Sequence, residues 1–230
     1  MGQGTAVLFS GGLDSAVLLA DAARHGGAGG SKGVRRPKVV QPIYVSVGLA
    51  WESEEKAMVA KLLATPPFAN VKPPVTLHAE MRDVYPETHW AIRGTAPAYD
   101  TPDEDVYIEG RNIVLLAKAS VYMARAGLST VLIGPLACNP FPDATDAFFR
   151  AMAAALSTGL ASPIAIEAPL SKMHKADVIK LGAELGVPME LTLSCMQPSG
   201  GKHCGHCSKC RERIEGFRDA GIADPTAYRG

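Results

Sequence analysis

Two groups of residues carry most of the chemistry in this sequence. The first is Ser10-Gly11-Gly12-Leu13-Asp14-Ser15, set between an apolar run ending at Phe9 and a helix-like run beginning near Leu13. A turn from a strand into a helix exposes N–H groups without intrahelical partners, and the helix dipole adds positive potential to them. Phosphate suits such a place. Gly11 and Gly12 let the backbone approach an anion closely, and Ser10 and Ser15 add hydroxyl donors. Asp14 beside a phosphate makes sense as a Mg²⁺ ligand or as an anchor for the loop. The Gly-Lys-Ser/Thr ending of a Walker A loop is missing.

The second group is Cys195, Cys204, Cys207 and Cys210, with eight residues in the first interval and two in each of the next. Cysteines two residues apart can turn both thiolates onto one tetrahedral Zn²⁺, at bonds of ~2.3 Å. Four thiolates close the coordination sphere, so the expected ion is structural. A Cys₄ iron–sulfur cluster is the competing reading. His203 and His206 lie within the group and are expected to face solvent, and the lone Cys138 is expected to be a small buried hydrophobe.

These residues need elements to position them. Strand-like runs alternate with amphipathic helix-like runs along the chain, which implies a parallel sheet covered by helices. The expected strands are Thr5–Phe9, Val39–Val47, Val71–His78, Ser129–Gly134 and Ser162–Leu170. The expected helices run from Leu13 to His25, Trp51 to Ala64, Gly110 to Gly127, Asp143 to Leu156 with Asp143 as N-cap, and Lys175 to Gly186. Gly26 to Lys38 reads as a mobile loop, and Glu80 to Asp105 as an irregular segment long enough to cover a site. In that segment, His89 and Trp90 are candidates for closing over a substrate, the alternative for His89 being a merely solvated loop histidine. Trp51 is expected to pack at its helix start rather than to stack on a base. We divide the chain into residues 1–191, a nucleotide-binding α/β domain, and 192–230, a metal-binding tail with a short basic helix packed on it.

Composition narrows the function. With 230 residues, 47% hydrophobic content and Lys+Arg 23 against Asp+Glu 23, the chain suits a globular enzyme with no global attraction for nucleic acid or anionic membrane. No apolar run approaches the ~20 residues of a spanning helix, and Met1 lies within a few residues of the first strand. A cytoplasmic location is expected, where cysteines serve as metal ligands or free thiols.

The motif Ser-Gly-Gly-Leu-Asp-Ser resembles the signature of the PP-loop ATP pyrophosphatases, which cleave ATP between its α- and β-phosphates. The chain is similar, from the first strand almost to the end, to the 7-cyano-7-deazaguanine synthase family. The likeness rests on "FSGGLDS", "GRN" at Gly110 to Asn112, "FPD" at Phe141 to Asp143, "PLSKMHKADVIKLGAELGVP" and "SCMQPSGGKHCGHCSKCRERIEGF". It implies a Rossmann-like open sheet of five parallel strands, adenine nucleotide alpha hydrolase-like, with helices on both faces and a C-terminal zinc knuckle.

The implied reaction activates 7-carboxy-7-deazaguanine as an acyl adenylate, adds ammonia to give an amide, and dehydrates that to the nitrile with a second ATP. The implied cofactors are ATP, Mg²⁺ and one structural Zn²⁺. The implied site is Ser10, Gly11, Gly12, Leu13, Asp14 and Ser15 for pyrophosphate and Mg²⁺, with Asn112 and Asp143 beside them. Arg111 and Lys175 are implied for phosphate or adenylate contacts, and Asp14, Arg111 and Lys175 form the catalytic set. Arg111 as a helix-start salt bridge and Lys175 as a solvated charge are the bland alternatives. The expected partners are a small carboxylic acid and ammonia, with no nucleic acid or membrane, and a homodimer is allowed.

The sequence departs from that family at "VGLAWESEE", Val47 to Glu55, where the family carries a Gln-Arg-His stretch, at Phe141-Pro142-Asp143-Ala144, where it carries Tyr-Pro-Asp-Cys, and at Ile108-Glu109, where it carries Val-Pro. Two other readings follow. One is a PP-loop enzyme that adenylates a different acid or thiolates tRNA. The other is a non-catalytic zinc module binding through "KCRERIEGFR".

Overall fold

The computed structural model describes residues 4–25 and 40–229. The segment Gly26 to Lys38, read above as a loop, lies outside the described residues. Five parallel strands form one sheet: β1 (Gly4–Leu8), β2 (Val40–Ser46), β3 (Val75–His78), β4 (Leu128–Leu132) and β5 (Ala165–Glu167), in the order β3-β2-β1-β4-β5. The helices are α1 (Leu13–His25), α2 (Glu52–Leu63), α3 (Trp90–Arg93), α4 (Arg111–Ala126), α5 (Asp146–Leu160), α6 (Lys175–Glu184) and α7 (Ser208–Ala220).

The central strand shows why the sheet is covered on both faces. All of β1 after Gly4 is buried, and alternate side chains enter different cores. Val7 packs with residues of α1, α6 and α7, including Val17, Ile179 and Phe217. Ala6 and Leu8 pack with Leu116, Met123 and Phe149 of α4 and α5. A third apolar cluster joins Val47, Leu49 and Trp51, beyond the end of β2, to Met81, Tyr85, Val106 and the four tail cysteines. The long segment from Glu80 to Asp105 is therefore a packed cover that contains α3, not a loose connector.

Element boundaries shift where local chemistry is decisive. β3 begins at Val75, because Pro73 and Pro74 have no N–H to give a ladder. β5 is only Ala165–Glu167, an edge strand bonded to β4 alone. The N-cap of α5 is Thr145, whose Oγ1 accepts from Phe148 N at 3.2 Å, so Asp143 does not cap it. No helix among the described residues is long and apolar enough to cross a membrane.

Polar contacts order the tail internally and, through Met189 and Glu54, fasten it to the sheet domain. Arg213 of α7 is 1% exposed. Its guanidinium donates to Thr192 Oγ1 at 2.8 Å, Ser194 Oγ at 3.2 Å, Met189 O at 2.7 Å and Thr226 Oγ1 at 2.5 Å. Five N–H donors in a planar fork can serve several acceptors at once, which a lysine in this place could not do. Glu54 of α2 accepts from Gly200 and Gly201 N at 3.0 and 2.9 Å.

Candidate active site and metal centre

β1 is the strand at which the order reverses: β2 and β3 follow on one side, β4 and β5 on the other. Open α/β sheets bind ligands outside the carboxyl ends of strands at such a point. A cavity of about 330 Å³ lies there, lined by Phe9 and Ser10 after β1, Tyr44, Val45 and Val47 at the end of β2, and Ile133 to Pro135 after β4.

The turn after β1 forms one end of this cavity. Gly11 has φ +79°, in the left-handed region, and a Cβ there would lie 2.8 Å from Val59 Cγ2. Glycine is needed on both counts. Ser15 Oγ donates to Gly12 O at 2.9 Å, Gly12 N donates to Ser10 Oγ at 3.3 Å, and Leu193 N donates to Gly11 O at 2.9 Å. The tail thus holds the loop from behind. Leu13 has its side chain in the core, so what it can offer a ligand is its N–H at the start of α1.

Lys175, at the start of α6, reaches across to this loop. Its Nζ lies 2.8 and 2.7 Å from the two Asp14 oxygens and 2.7 Å from Glu212 Oε1. Glu212 also pairs with Lys209 at 2.7 Å. Lys175 is therefore not a solvated helix charge. Burial opposes ionisation of Glu212, but the two lysines overcome it and hold this carboxyl down to about 2. The same two acids push the Lys175 ammonium above its usual range against the effect of burial. Glu212 and Lys209 are site residues that sequence reasoning missed. Both sit on the turn of α7 that carries Cys210, and only the packing of α7 on α6 brings them to the loop. Gly216 allows that packing: a Cβ there would come within 2.3 Å of Lys175 Cγ.

Arg111 is the first residue of α4, half-buried, and lines the cavity. Its guanidinium makes no hydrogen bond or ion pair among the described residues, so the salt-bridge alternative does not hold there. Asn112 and Asp143 form a unit of their own. Asp143, 4% exposed, accepts from Asn112 N at 3.0 Å and from Asn112 Nδ2 at 3.2 Å. The residue before α4 is Gly110, with no side chain to cap the helix, and Asp143 supplies that cap from across the site. Burial raises the Asp143 pKa, against the pull of those hydrogen bonds and of Arg111.

The part of the cavity wall built by the start of α2 is aromatic and acidic. Trp51, 7% exposed, packs as expected and stacks on Trp90 at 5.8 Å. His89 is not a solvated loop histidine: it stacks between Tyr85 and Trp90 at 4.8 and 5.6 Å, and its Nδ1 accepts from Ala91 N to cap α3. Glu52 accepts from Val47, Gly48 and Leu49 N at 2.7, 2.9 and 3.2 Å and so fixes the turn after β2. Glu55 accepts from Tyr44 OH at 2.7 Å and Trp51 Nε1 at 3.1 Å.

The four tail cysteines meet as the spacing predicted. Their sulfurs all lie within 4.8 Å of one another and are buried. A tetrahedral ion with bonds of ~2.3 Å puts its sulfurs about 3.8 Å apart. Cys204 and Cys210 are 3.8 Å apart, and Cys207 and Cys210 are 3.5 Å apart. Gln197 N and Cys204 N donate to Cys195 Sγ at 3.3 and 3.2 Å, which favours thiolate. The set fits one Zn²⁺; an iron–sulfur cluster spreads its thiolates over several irons and needs a wider cage. His206 is exposed as expected. His203 is not: it is 2% exposed, its Nε2 accepts from Ser194 N at 3.0 Å, and burial lowers its pKa to about 4. Cys138 reverses its expectation too, being exposed, with φ 62°.

Comparison with known proteins agrees with this arrangement. Residues 88–221 match the family described as "Queuosine biosynthesis protein QueC". The 7-cyano-7-deazaguanine synthase of Anaeromyxobacter dehalogenans is 32% identical over 233 residues, 96% of this chain and 94% of that relative. The enzyme of the same name from Methanothrix thermoacetophila is 33% identical over 231 residues, 96% of this chain and 97% of that relative. With the synthase of an Anaeromyxobacter species the identity is 41% over 129 residues, so that alignment spans little more than half of each chain, 53% and 55%. A family match covering more than half of the chain, joined to relatives aligned along nearly its whole length, means that the chain belongs to the queuosine biosynthesis protein QueC family.

Proposed function

We propose that this protein converts 7-carboxy-7-deazaguanine and ammonia into 7-cyano-7-deazaguanine at the expense of ATP. The observation that carries the reading is the convergence of the PP-loop, Lys175 and Arg111, which has no partner among the described residues, on one cavity at the reversal point of the sheet. A carboxylate is a poor electrophile until one oxygen becomes part of a leaving group. Adenylation achieves this: the carboxylate attacks the α-phosphorus, pyrophosphate departs, and ammonia then displaces AMP to give the amide. The amide oxygen then attacks the α-phosphorus of a second ATP and pyrophosphate departs; AMP leaves with that oxygen, and loss of both nitrogen-bound protons completes the nitrile.

In this reading Gly11 to Ser15 hold the departing pyrophosphate through backbone N–H groups and the hydroxyls of Ser10 and Ser15. Asp14 and Lys175 neutralise each other before ATP binds. With ATP in place, Lys175 turns to phosphate oxygens and Asp14 is free to hold Mg²⁺, whose contribution is to neutralise charge on the triphosphate. Arg111 stabilises the acid or its adenylate. Asn112 and Asp143 position the start of α4, and hence Arg111. The Cys195, Cys204, Cys207 and Cys210 set holds Zn²⁺ as a structural ion, with no open position for chemistry.

Two observations weigh against a nucleic-acid-binding module. Arg213 is buried in the tail's own contacts, and Arg218 pairs with Asp219 at 3.0 Å. The test is acid-dependent exchange of labelled pyrophosphate into ATP without ammonia. An acyl adenylate predicts exchange only when 7-carboxy-7-deazaguanine is present; exchange independent of the acid, or none with it, overturns the reading.

A further inference from the structure

Within the cavity, one acid has no part in the phosphate chemistry or in holding a loop. Glu55, on α2, is half-buried beside Tyr44 and Trp51 and lines the cavity; its backbone flanks Gly11, while its carboxylate is bonded to Tyr44 and Trp51 and not to the phosphate-binding turn. Its two oxygens each receive one neutral donor, Tyr44 OH at 2.7 Å on Oε2 and Trp51 Nε1 at 3.1 Å on Oε1. No cation comes within ion-pair distance of it among the described residues. Each carboxylate oxygen can accept two hydrogen bonds, so one position on each is left over. Those two leftover positions lie side by side, the acceptor pattern that matches two adjacent N–H donors.

The carboxylate is also held still. Tyr44 is 4% exposed and Trp51 is 7% exposed, so the two donors that orient Glu55 are fixed by packing. An acid in an apolar wall is unfavourable for folding unless something uses it. Desolvation raises its pKa to about 7, opposed by Tyr44, Arg111 and Trp51 and reinforced by Glu52. A stacked aromatic pair, Trp51 and Trp90, offers a flat surface beside it. The free guanidinium of Arg111 stands near enough to act on Glu55 by charge, yet outside ion-pair range.

An unneutralised acid and an unneutralised guanidinium facing one cavity call for a ligand with donors at one edge and negative charge at the other. We propose that Glu55 determines substrate specificity, accepting the ring N–H and exocyclic amine of a planar amide–amidine heterocycle that lies against the Trp51–Trp90 pair while its acid group faces Arg111. This rests on the function proposed above and adds the residue that reads the ring. ATP fits the pair less well, because its charge is gathered at the phosphates, where the PP-loop and Lys175 already meet it.

The test compares the whole protein and its Glu55→Gln variant by calorimetric binding and by turnover. The ligands are 7-carboxy-7-deazaguanine, the analogue lacking the exocyclic amine, and Mg-ATP. Leaving a buried acceptor unpaired costs about 1–3 kcal/mol, or roughly 5- to 150-fold in affinity. Wild type should bind the acid at least about 10-fold more tightly than the analogue, and Glu55→Gln should bind the two within about threefold. The KM for the acid should rise in the variant with that for ATP unchanged.

If instead the KM for ATP rises and that for the acid does not, Glu55 serves the nucleoside and the proposal falls. If neither moves, the acid is structural and the proposal also falls. Wild-type turnover with unaltered binding by the variant refutes Glu55 alone. Glu55-dependent binding of the acid without any turnover sustains Glu55 and refutes the synthase reading.

Discussion

Lys175 is the cation on which the ligand-free site depends, and replacing it by methionine removes the charge while keeping much of the stem. The gap between the ordinary 4.5 of a glutamate and the value of about 2 for Glu212 corresponds to about 3 kcal/mol of charge stabilisation. Lys209 shares in that effect, so Lys175→Met should destabilise by about 2 kcal/mol at pH 7, between the roughly 0–1 kcal/mol of an exposed pair and the roughly 3–5 kcal/mol of breaking a fully buried one. For a chain of this size that lowers Tm by about 4–8 °C.

The sign of the pH dependence follows from the depressed pKa. The stabilisation is complete above 4.5 and is lost as pH falls through about 2, so the difference between the two proteins should narrow in acid. A double-mutant cycle with Glu212→Gln, followed by urea unfolding at pH 7, isolates the pair from changes in packing. A coupling of about 1–2 kcal/mol is expected. Coupling below about 0.5 kcal/mol would show that the contact contributes nothing beyond packing, and the electrostatic account of the site would be refuted.

Three other outcomes are expected. Gly216→Ala puts a Cβ within 2.3 Å of Lys175 Cγ and 3.0 Å of Ile179 Cδ1; it should destabilise by about 1–3 kcal/mol and raise the KM for ATP, read by unfolding and AMP formation. Treating the protein with a strong chelator should raise the titratable thiols from one, the exposed Cys138, to all five cysteines, and should lower Tm; an unchanged thiol count would contradict the metal centre. Glu55→Gln should be more stable than wild type at pH 8, because ionising this acid opposes folding as pH rises from 4.5 through about 7. The advantage should vanish below 4.5, where Glu55 is protonated in both the folded and unfolded states, and an equal gain at pH 4 would show that its origin is not the charge.

Much of this was legible in the sequence, for local reasons. The Gly11-Gly12 turn, the strand and helix alternation and the cysteine spacing are short-range patterns, and each appears in the structure where its spacing put it. What was not legible depends on chain crossings. Asp143 reads as a local N-cap, yet Thr145 is nearer to the start of α5 in helical register, which leaves Asp143 to cap α4 from 31 residues away. His203 lies among metal ligands in sequence, but the bridge from His203 to Tyr228 folds the C-terminal strand of chain over it and buries it. Glu212 looks like one charge of a basic helix until α7 meets α6. The stretch Val47 to Glu55, the clearest departure from the family pattern, turns out to build a wall of the cavity through Trp51 and Glu55.

The central claim is best tested by incubating the zinc-loaded protein with Mg-ATP, ammonium and 7-carboxy-7-deazaguanine, following AMP and the mass of the acid, with Asp14→Ala as control. The account predicts two AMP for each nitrile formed, and neither product in the control. AMP formation that stops at the amide would contradict the second activation, and ATP binding without any conversion of this acid would contradict its identity as the substrate.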